Sequence, residues 1–154
     1  MIVESDNVAN SALIQLIGED KVFKVYDDLK LHRPSEDKEG YTVQEYSYLF
    51  RVLYNGTYLS KELSERVLEL LSKTKFANGI VAGVPSGTVV SHKFGIKTLS
   101  DDVRELHDCG IVYYPENPYF VCVMTRGYNF DDLSSILKTI SEKIWNNVHL
   151  IPQS

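Results

Sequence analysis

The chain has 154 residues, 44% hydrophobic and 24% charged, with 16 Lys and Arg against 21 Asp and Glu for a formal charge of −5. That is the composition of one globular domain, long enough to bury roughly 68–70% of the surface its unfolded chain exposes without a disulfide or metal staple. The acidic balance and singly scattered basic residues argue against a nucleic-acid or anionic-membrane surface, which needs clustered Lys and Arg to neutralise phosphates. No stretch reaches the ~18 apolar residues of a membrane span, and the amino terminus lacks the basic-then-apolar run of a signal peptide. Cys109 and Cys122 are too few for a disulfide framework and are not spaced as zinc ligands, so they read as small apolar strand residues and no metal is expected.

The amino-terminal part, about residues 5–75, carries helical periodicity. Ser5-Asp6-Asn7 supplies capping side chains for a helix from Val8 to Ile17, whose Ala9, Ala12, Leu13, Leu16 and Ile17 share a face before Gly18. A second helix over Asp20–Leu31 puts Val22, Phe23, Tyr26 and Leu29 on its apolar side, and the stretch from His32 to Tyr41, with Pro34, Ser35 and Gly40 among charges, is a surface loop. Thr42 and Glu45 form a capping-box pattern ahead of Val43, Tyr46, Leu49, Phe50 and Leu53, and Asn55-Gly56 ends that helix. Ser60 caps a fourth helix through Ser72 with Leu63, Val67, Leu70 and Leu71 on one side. Four short amphipathic helices predict a helical layer.

Residues 87–149 change period. Gly87–Phe94, Val103–Tyr114 and Tyr119–Arg126 are rich in β-branched and aromatic residues, and Pro115-Glu116-Asn117-Pro118 is the turn of an antiparallel hairpin. Asp131-Asp132 opens a final helix whose Leu133, Ile136, Leu137, Ile140, Ile144 and Val148 would lie on one sheet face, with the helical layer on the other. If Tyr114 pairs with Pro118, paired residues sum to about 232, which sets Cys109 opposite Val123 and Cys122 on the other face; a one-residue slip brings the two sulfurs together. The first register is the one adopted, with both cysteines reduced.

Polar chemistry concentrates at Glu4-Ser5-Asp6-Asn7, at Ser91-His92-Lys93-Phe94-Gly95-Ile96 and at His107-Asp108-Cys109-Gly110. Each has a plain structural role open to it: helix caps for Ser5 and Asp6, an edge-strand guard for Lys93, and a satisfied pair for His107 with Asp108. Residue types alone would also allow a Ser-His-Asp triad.

Ser-Asp-Asn opening a helix and Lys-x-Gly on a strand ahead of a hairpin and a long terminal helix together resemble the active-site serine β-lactamase and penicillin-binding protein family, most closely its class A branch. The resemblance runs from Met1 to the final helix, as a single domain over 1–154. It implies an α/β (α+β) fold, with an antiparallel sheet between a carboxyl-terminal helix and a helical layer. It also implies acyl transfer on a β-lactam or a D-Ala-D-Ala-type peptide without a cofactor. Ser5 would relay a proton and Lys93 would set the field around it and attract the substrate carboxylate. Asn7 would hold the substrate amide, and Gly95 would admit the close approach that lets the Ile96 N–H form half an oxyanion hole.

The departures from the family pattern define what is expected of this chain. A nucleophilic Ser-x-x-Lys belongs well before Ser-Asp-Asn, and no such motif lies before Ser5. Ser60-Lys61 and Ser72-Lys73 lack the spacing, and Ser35-Glu36-Asp37-Lys38 sits in a polar loop where the lysine would not lose its solvation. The expectation is therefore a domain truncated at its amino terminus, inactive by itself. An open sheet edge at Tyr119–Arg126 and uncovered apolar helix surface would favour self-association. Localisation is left unknown, extracytoplasmic if an upstream segment exists. Phe94 replaces a hydroxyl residue that binds the substrate carboxylate, a loss of roughly 1.5–3 kcal/mol for a bond to a charged partner. Glu36 and Glu39 are followed four residues on by Gly40 and Val43 rather than Asn, which argues against fast β-lactam hydrolysis. A non-catalytic binding domain derived from the same fold is the alternative.

Overall fold

In a computed structural model, residues 1–33, 40–100 and 102–150 are described. Local sequence sets the helix starts. The Asp6 carboxylate accepts the Ala9 N–H at 2.9 Å to begin α1 (Asn7–Ile17), and Gly18, at φ 87°, separates it from α2 (Glu19–Asp28). Thr42 and Glu45 close the capping box of α3 (Val43–Asn55), and the Ser60 hydroxyl accepts the Leu63 N–H to start α4 (Lys61–Leu71). A 3₁₀ turn follows at Ile80–Gly83. Three nine-residue strands come next: β1 (Val90–Thr98), β2 (Arg104–Val112) and β3 (Tyr119–Gly127). Asn129, rather than Asp131, caps α5 (Phe130–Asn147), and a last 3₁₀ turn spans Val148–Leu150.

The strands form one antiparallel sheet in the order β1-β2-β3. β2 pairs with β1 through Val90↔Val112 and Lys93↔Cys109, and with β3 through Val112↔Tyr119 and Cys109↔Cys122. The hairpin register is therefore one residue from the one adopted from sequence, and Cys109 and Cys122 are joined in a disulfide rather than reduced. Two physical causes act together. Pro118 has no N–H to give to a ladder, so β3 begins at Tyr119 and the closing pair moves to Val112. Hydrogen-bonded pairs also alternate along an antiparallel ladder. Bonds from Tyr113 N to Val89 O and from Leu99 N to Val103 O turn the odd residues of β2 toward β1, so Cys109 and Cys122 form a non-hydrogen-bonded pair, the class with the closest side chains.

Alternation along the strands divides the core between two faces. Val90, Val112 and Val121 meet Ile80, and Leu106 meets Leu133 and Leu137 of α5. Cys109 and Ile111 face Phe50 of α3 and Leu68 and Leu71 of α4 on the other side. The terminal helix on one face and a helical layer on the other is the architecture the sequence implied. That layer is narrower than expected, because only α3 and α4 contribute buried residues: α1 and α2 bury none, and Val8 and Leu16 stand 79% and 81% exposed. Periodicity marks an apolar face without guaranteeing a partner for it. The 3₁₀ turn locks onto α5, where Ser141 Oγ donates to Ile80 O at 2.7 Å and a methyl at Gly83 would fall 2.4 Å from the Lys138 carbonyl oxygen. This fixed turn lies beside the strand that carries Lys93.

Candidate functional site

Lys93 projects from β1 into an open cleft of about 500 Å³ over the α3/α4 face of the sheet. The floor of the cleft includes Gly95, His107, Cys109 and Met124, and Tyr41 and Tyr46 form its far wall. The Lys93 ammonium donates to Ser5 Oγ at 2.5 Å and to the Phe94 carbonyl oxygen at 2.9 Å. It also lies 4.6 Å from the centroid of the Phe94 ring, a cation–π contact. Partial burial pulls the Lys93 pKa below its usual value, and the negative charge of Asp108 opposes that shift.

Ser5 reaches Lys93 because it occupies the left-handed region, at φ 53°. A non-glycine residue there carries on the order of 1–3 kcal/mol of strain and persists only where its surroundings hold it. Asp6 next to it caps α1, and the segment is tied to the body of the fold through Lys75, whose backbone N–H donates to Val3 O at 3.2 Å and whose ammonium pairs with Glu4 at 2.6 Å. Two candidates 88 residues apart in sequence are thereby brought into direct contact.

The other sequence candidates stand as follows. Asn7 is the exposed first residue of α1. Gly95 has no heavy atom within 4 Å of the place a Cβ would occupy, so the space beside it is open to a ligand. The ladder alternation that pairs Gly95 with His107 turns the Ile96 N–H away from β2, off the outer edge of the sheet. Ser35, Glu36, Lys38 and Glu39 lie outside the described residues.

His107 and Asp108 do not pair with each other, since neighbours on a strand point to opposite faces. His107 Nδ1 accepts the Thr125 N–H at 3.1 Å. Asp108 is fully buried and bonds His92 Nδ1 at 2.8 Å and the Ile80 N–H at 3.0 Å. Ser91 points to the other face and donates to Leu68 O, so no Ser-His-Asp triad forms from these residues. Sequence reasoning missed Phe76, which stacks on Phe94 with centroids 4.5 Å apart, and Thr74, whose hydroxyl donates to His92 O at 2.9 Å. Neither carries a sequence signal, because both act from an irregular segment.

A family model described as "Beta-lactamase enzyme family" matches residues 1–148. No curated protein matches the chain. Among solved structures, PBP-A is 20% identical with a TM-score of 0.77, covering 98% of this chain and 59% of its own. A variant of PBP-A held as an acyl-enzyme complex with penicillin G is 19% identical with a TM-score of 0.78, covering 98% of this chain and 60% of its own. A class A β-lactamase from Bacteroides cellulosilyticus is 18% identical with a TM-score of 0.85, covering 97% and 61%. The chain thus spans about 60% of the length of these structures, which at such identities share its fold.

Proposed function

From the premise that this chain belongs to the beta-lactamase enzyme family, we propose that it supplies the Ser-Asp-Asn and Lys-x-Gly portions of a serine-hydrolase site acting by acyl transfer on a β-lactam or a D-Ala-D-Ala-type peptide. The observation that carries this reading is the direct contact of Ser5 Oγ with Lys93 Nζ at the mouth of the cleft. Lys93 attracts the substrate carboxylate, and the Ser5 hydroxyl, in the positive field of Lys93, passes to the leaving amine the proton that the attacking hydroxyl gives up. Asn7 orients the substrate amide, and the outward Ile96 N–H donates to the developing oxyanion beside the open space at Gly95. Neither Ser5 nor Lys93 is the attacking group in this reading; the nucleophilic serine is supplied from elsewhere in the site. Acylation of PBP-A by penicillin G supports the substrate class. The Cys109–Cys122 disulfide supports an extracytoplasmic site of action, where such bonds persist. Self-association through an outer strand of the sheet belongs to the same reading.

One observation favours a second reading, a non-catalytic binding domain: Phe94 stacks on Phe76 where the family pattern has a hydroxyl for the substrate carboxylate. Labelling of the full-length gene product with a fluorescent penicillin separates the two. Covalent labelling that disappears in Lys93→Met and after mutation of the nucleophile supports the hydrolase reading. No labelling of a folded full-length product supports the binding domain. Labelling of residues 1–154 by themselves overturns the claim that the nucleophile lies elsewhere.

A further inference from the structure

The His92–Asp108 pair is a built unit that the acyl-transfer reading does not use. His92 is 1% exposed and Asp108 fully buried, and both carboxylate oxygens are engaged, one by His92 Nδ1 and one by the Ile80 N–H. Two glycines clear the space for it. A methyl at Gly79 would lie 2.2 Å from Asp108 Oδ2, and one at Gly110 would lie 2.5 Å from His92 Cβ. A buried pair of ionisable groups is weak evidence for stability, because desolvation offsets most of the attraction between them. A role in placing its neighbours is then the more economical reason for such a unit.

The neighbour is Lys93, which follows His92 directly in β1 and faces the other side of the sheet. Three tethers hold β1 at this point: Ser91 Oγ to Leu68 O at 2.8 Å, Thr74 Oγ1 to His92 O at 2.9 Å, and His92 to Asp108. Only the third joins two ionisable side chains, and it extends to the 3₁₀ turn that Ser141 fastens to α5. We propose that His92 and Asp108 are positioning residues for Lys93, tying its strand to the Ile80 turn and thereby fixing where the ammonium stands in the cleft. The inference deepens the reading of Lys93 as the anion-binding group. Besides Asp108 behind the sheet, the ionisable groups sharing the cleft are Lys97, Glu105, His107, Arg126, Tyr41 and Tyr46, with Asp6 beside Ser5.

The test uses the whole chain, labelled for NMR, and follows the Lys93 side-chain resonances, assigned by their loss in Lys93→Arg. Asp108→Asn keeps the shape and removes the charge, so the Lys93 titration midpoint moves down, since the charge opposing its desolvation is gone. His92→Leu removes the donor to Asp108 and abolishes the cross-relaxation between Lys93 and Ser5, whereas His92→Gln keeps a donor and retains it. Ser141→Ala loosens the same turn without touching the pair; with Gly83 still packed on α5, it lowers stability and weakens the Lys93–Ser5 cross-relaxation less than His92→Leu does. Cross-relaxation between Lys93 and Ser5 that survives in folded His92→Leu overturns the proposal, as does an effect of Ser141→Ala equal to that of the pair. If Asp108→Asn does not fold, the contrast between His92→Leu and His92→Gln decides, and equal cross-relaxation in the two overturns it. No substrate enters these readouts, so a failure of penicillin labelling would count against the acyl-transfer reading and leave this one standing.

Discussion

Reduction of the Cys109–Cys122 bond should lower stability while leaving every residue in place. The bridge joins residues 13 apart, so it closes a ring of 14 residues, counting both ends. Constraint of the unfolded chain by a ring of about 15 residues is worth roughly 3 kcal/mol in the chain-entropy model. With urea slopes of about 1–3 kcal/mol/M, that loss lowers the unfolding midpoint by roughly 1–3 M. The assay is equilibrium urea unfolding followed by circular dichroism, on oxidised protein and on protein held reduced, with free thiols counted by mass spectrometry. The slope should change little between the two if the native surface is the same. Superimposable curves with both thiols demonstrably free would refute the reasoning. So would native protein, purified without reductant, in which the bond is absent.

Gly83→Ala places a methyl 2.4 Å from the Lys138 carbonyl oxygen and 2.6 Å from the Glu142 nitrogen, backbone atoms that cannot swing away, and should cost about 1–3 kcal/mol in thermal or urea unfolding. Leu137→Ala opens a cavity at a fully buried position against Leu106 and Leu133 and should cost about 2–5 kcal/mol by the same measurement. Glu45 accepts the Thr42 N–H and also bonds His32 and the Thr42 hydroxyl, which holds its pKa down at about 2 against an ordinary 4.5. A depressed carboxyl stabilises the fold above its unfolded pKa and loses that contribution as pH falls toward 2; Glu45→Gln should therefore flatten the acid side of a stability-against-pH curve, and an unchanged curve refutes the assignment. Leu16→Glu removes exposed apolar surface from α1 without disturbing any buried contact, so it should leave the unfolding free energy within about 0.5 kcal/mol of wild type. The same change should reduce any concentration-dependent association seen by size-exclusion chromatography.

The parts of the fold legible in the sequence are those set by short-range rules. Asp6, Thr42 with Glu45, and Ser60 cap the helices that their side-chain chemistry indicates, and α5 buries Leu133 and Leu137 of its expected stripe while Ile136 stands 45% exposed. Register and partnership were less legible. One residue of slip in the hairpin turned on the missing N–H of Pro118, and it decided whether two cysteines met. His107 next to Asp108 looked like a pair only because adjacency in sequence was taken for adjacency in space; the strand pleat gives Asp108 to His92, 16 residues away. In the candidate site, residue type and motif mark Ser5 and Lys93, whereas Phe76 and Thr74 come from an irregular segment whose path no periodicity encodes.

What places Ser5 on Lys93 follows from burial rather than from α1. That helix buries no residue, so it cannot fix the position of the turn that opens it. The Glu4–Lys75 pair is more than half exposed on both sides, and ion pairs of that kind contribute about 0–1 kcal/mol, too little alone to hold a serine in the left-handed region. Ile2, by contrast, packs against the cluster of Phe50, Leu68, Leu71 and Cys109, and Val3 next to it accepts the Lys75 N–H. Cys109 is also the residue directly opposite Lys93 in the sheet. The same apolar cluster therefore anchors both partners of the contact, Ser5 through the backbone from Ile2 and Lys93 through its β2 neighbour. The Ser5–Lys93 contact therefore depends on the Phe50–Leu68–Cys109 cluster more than on α1.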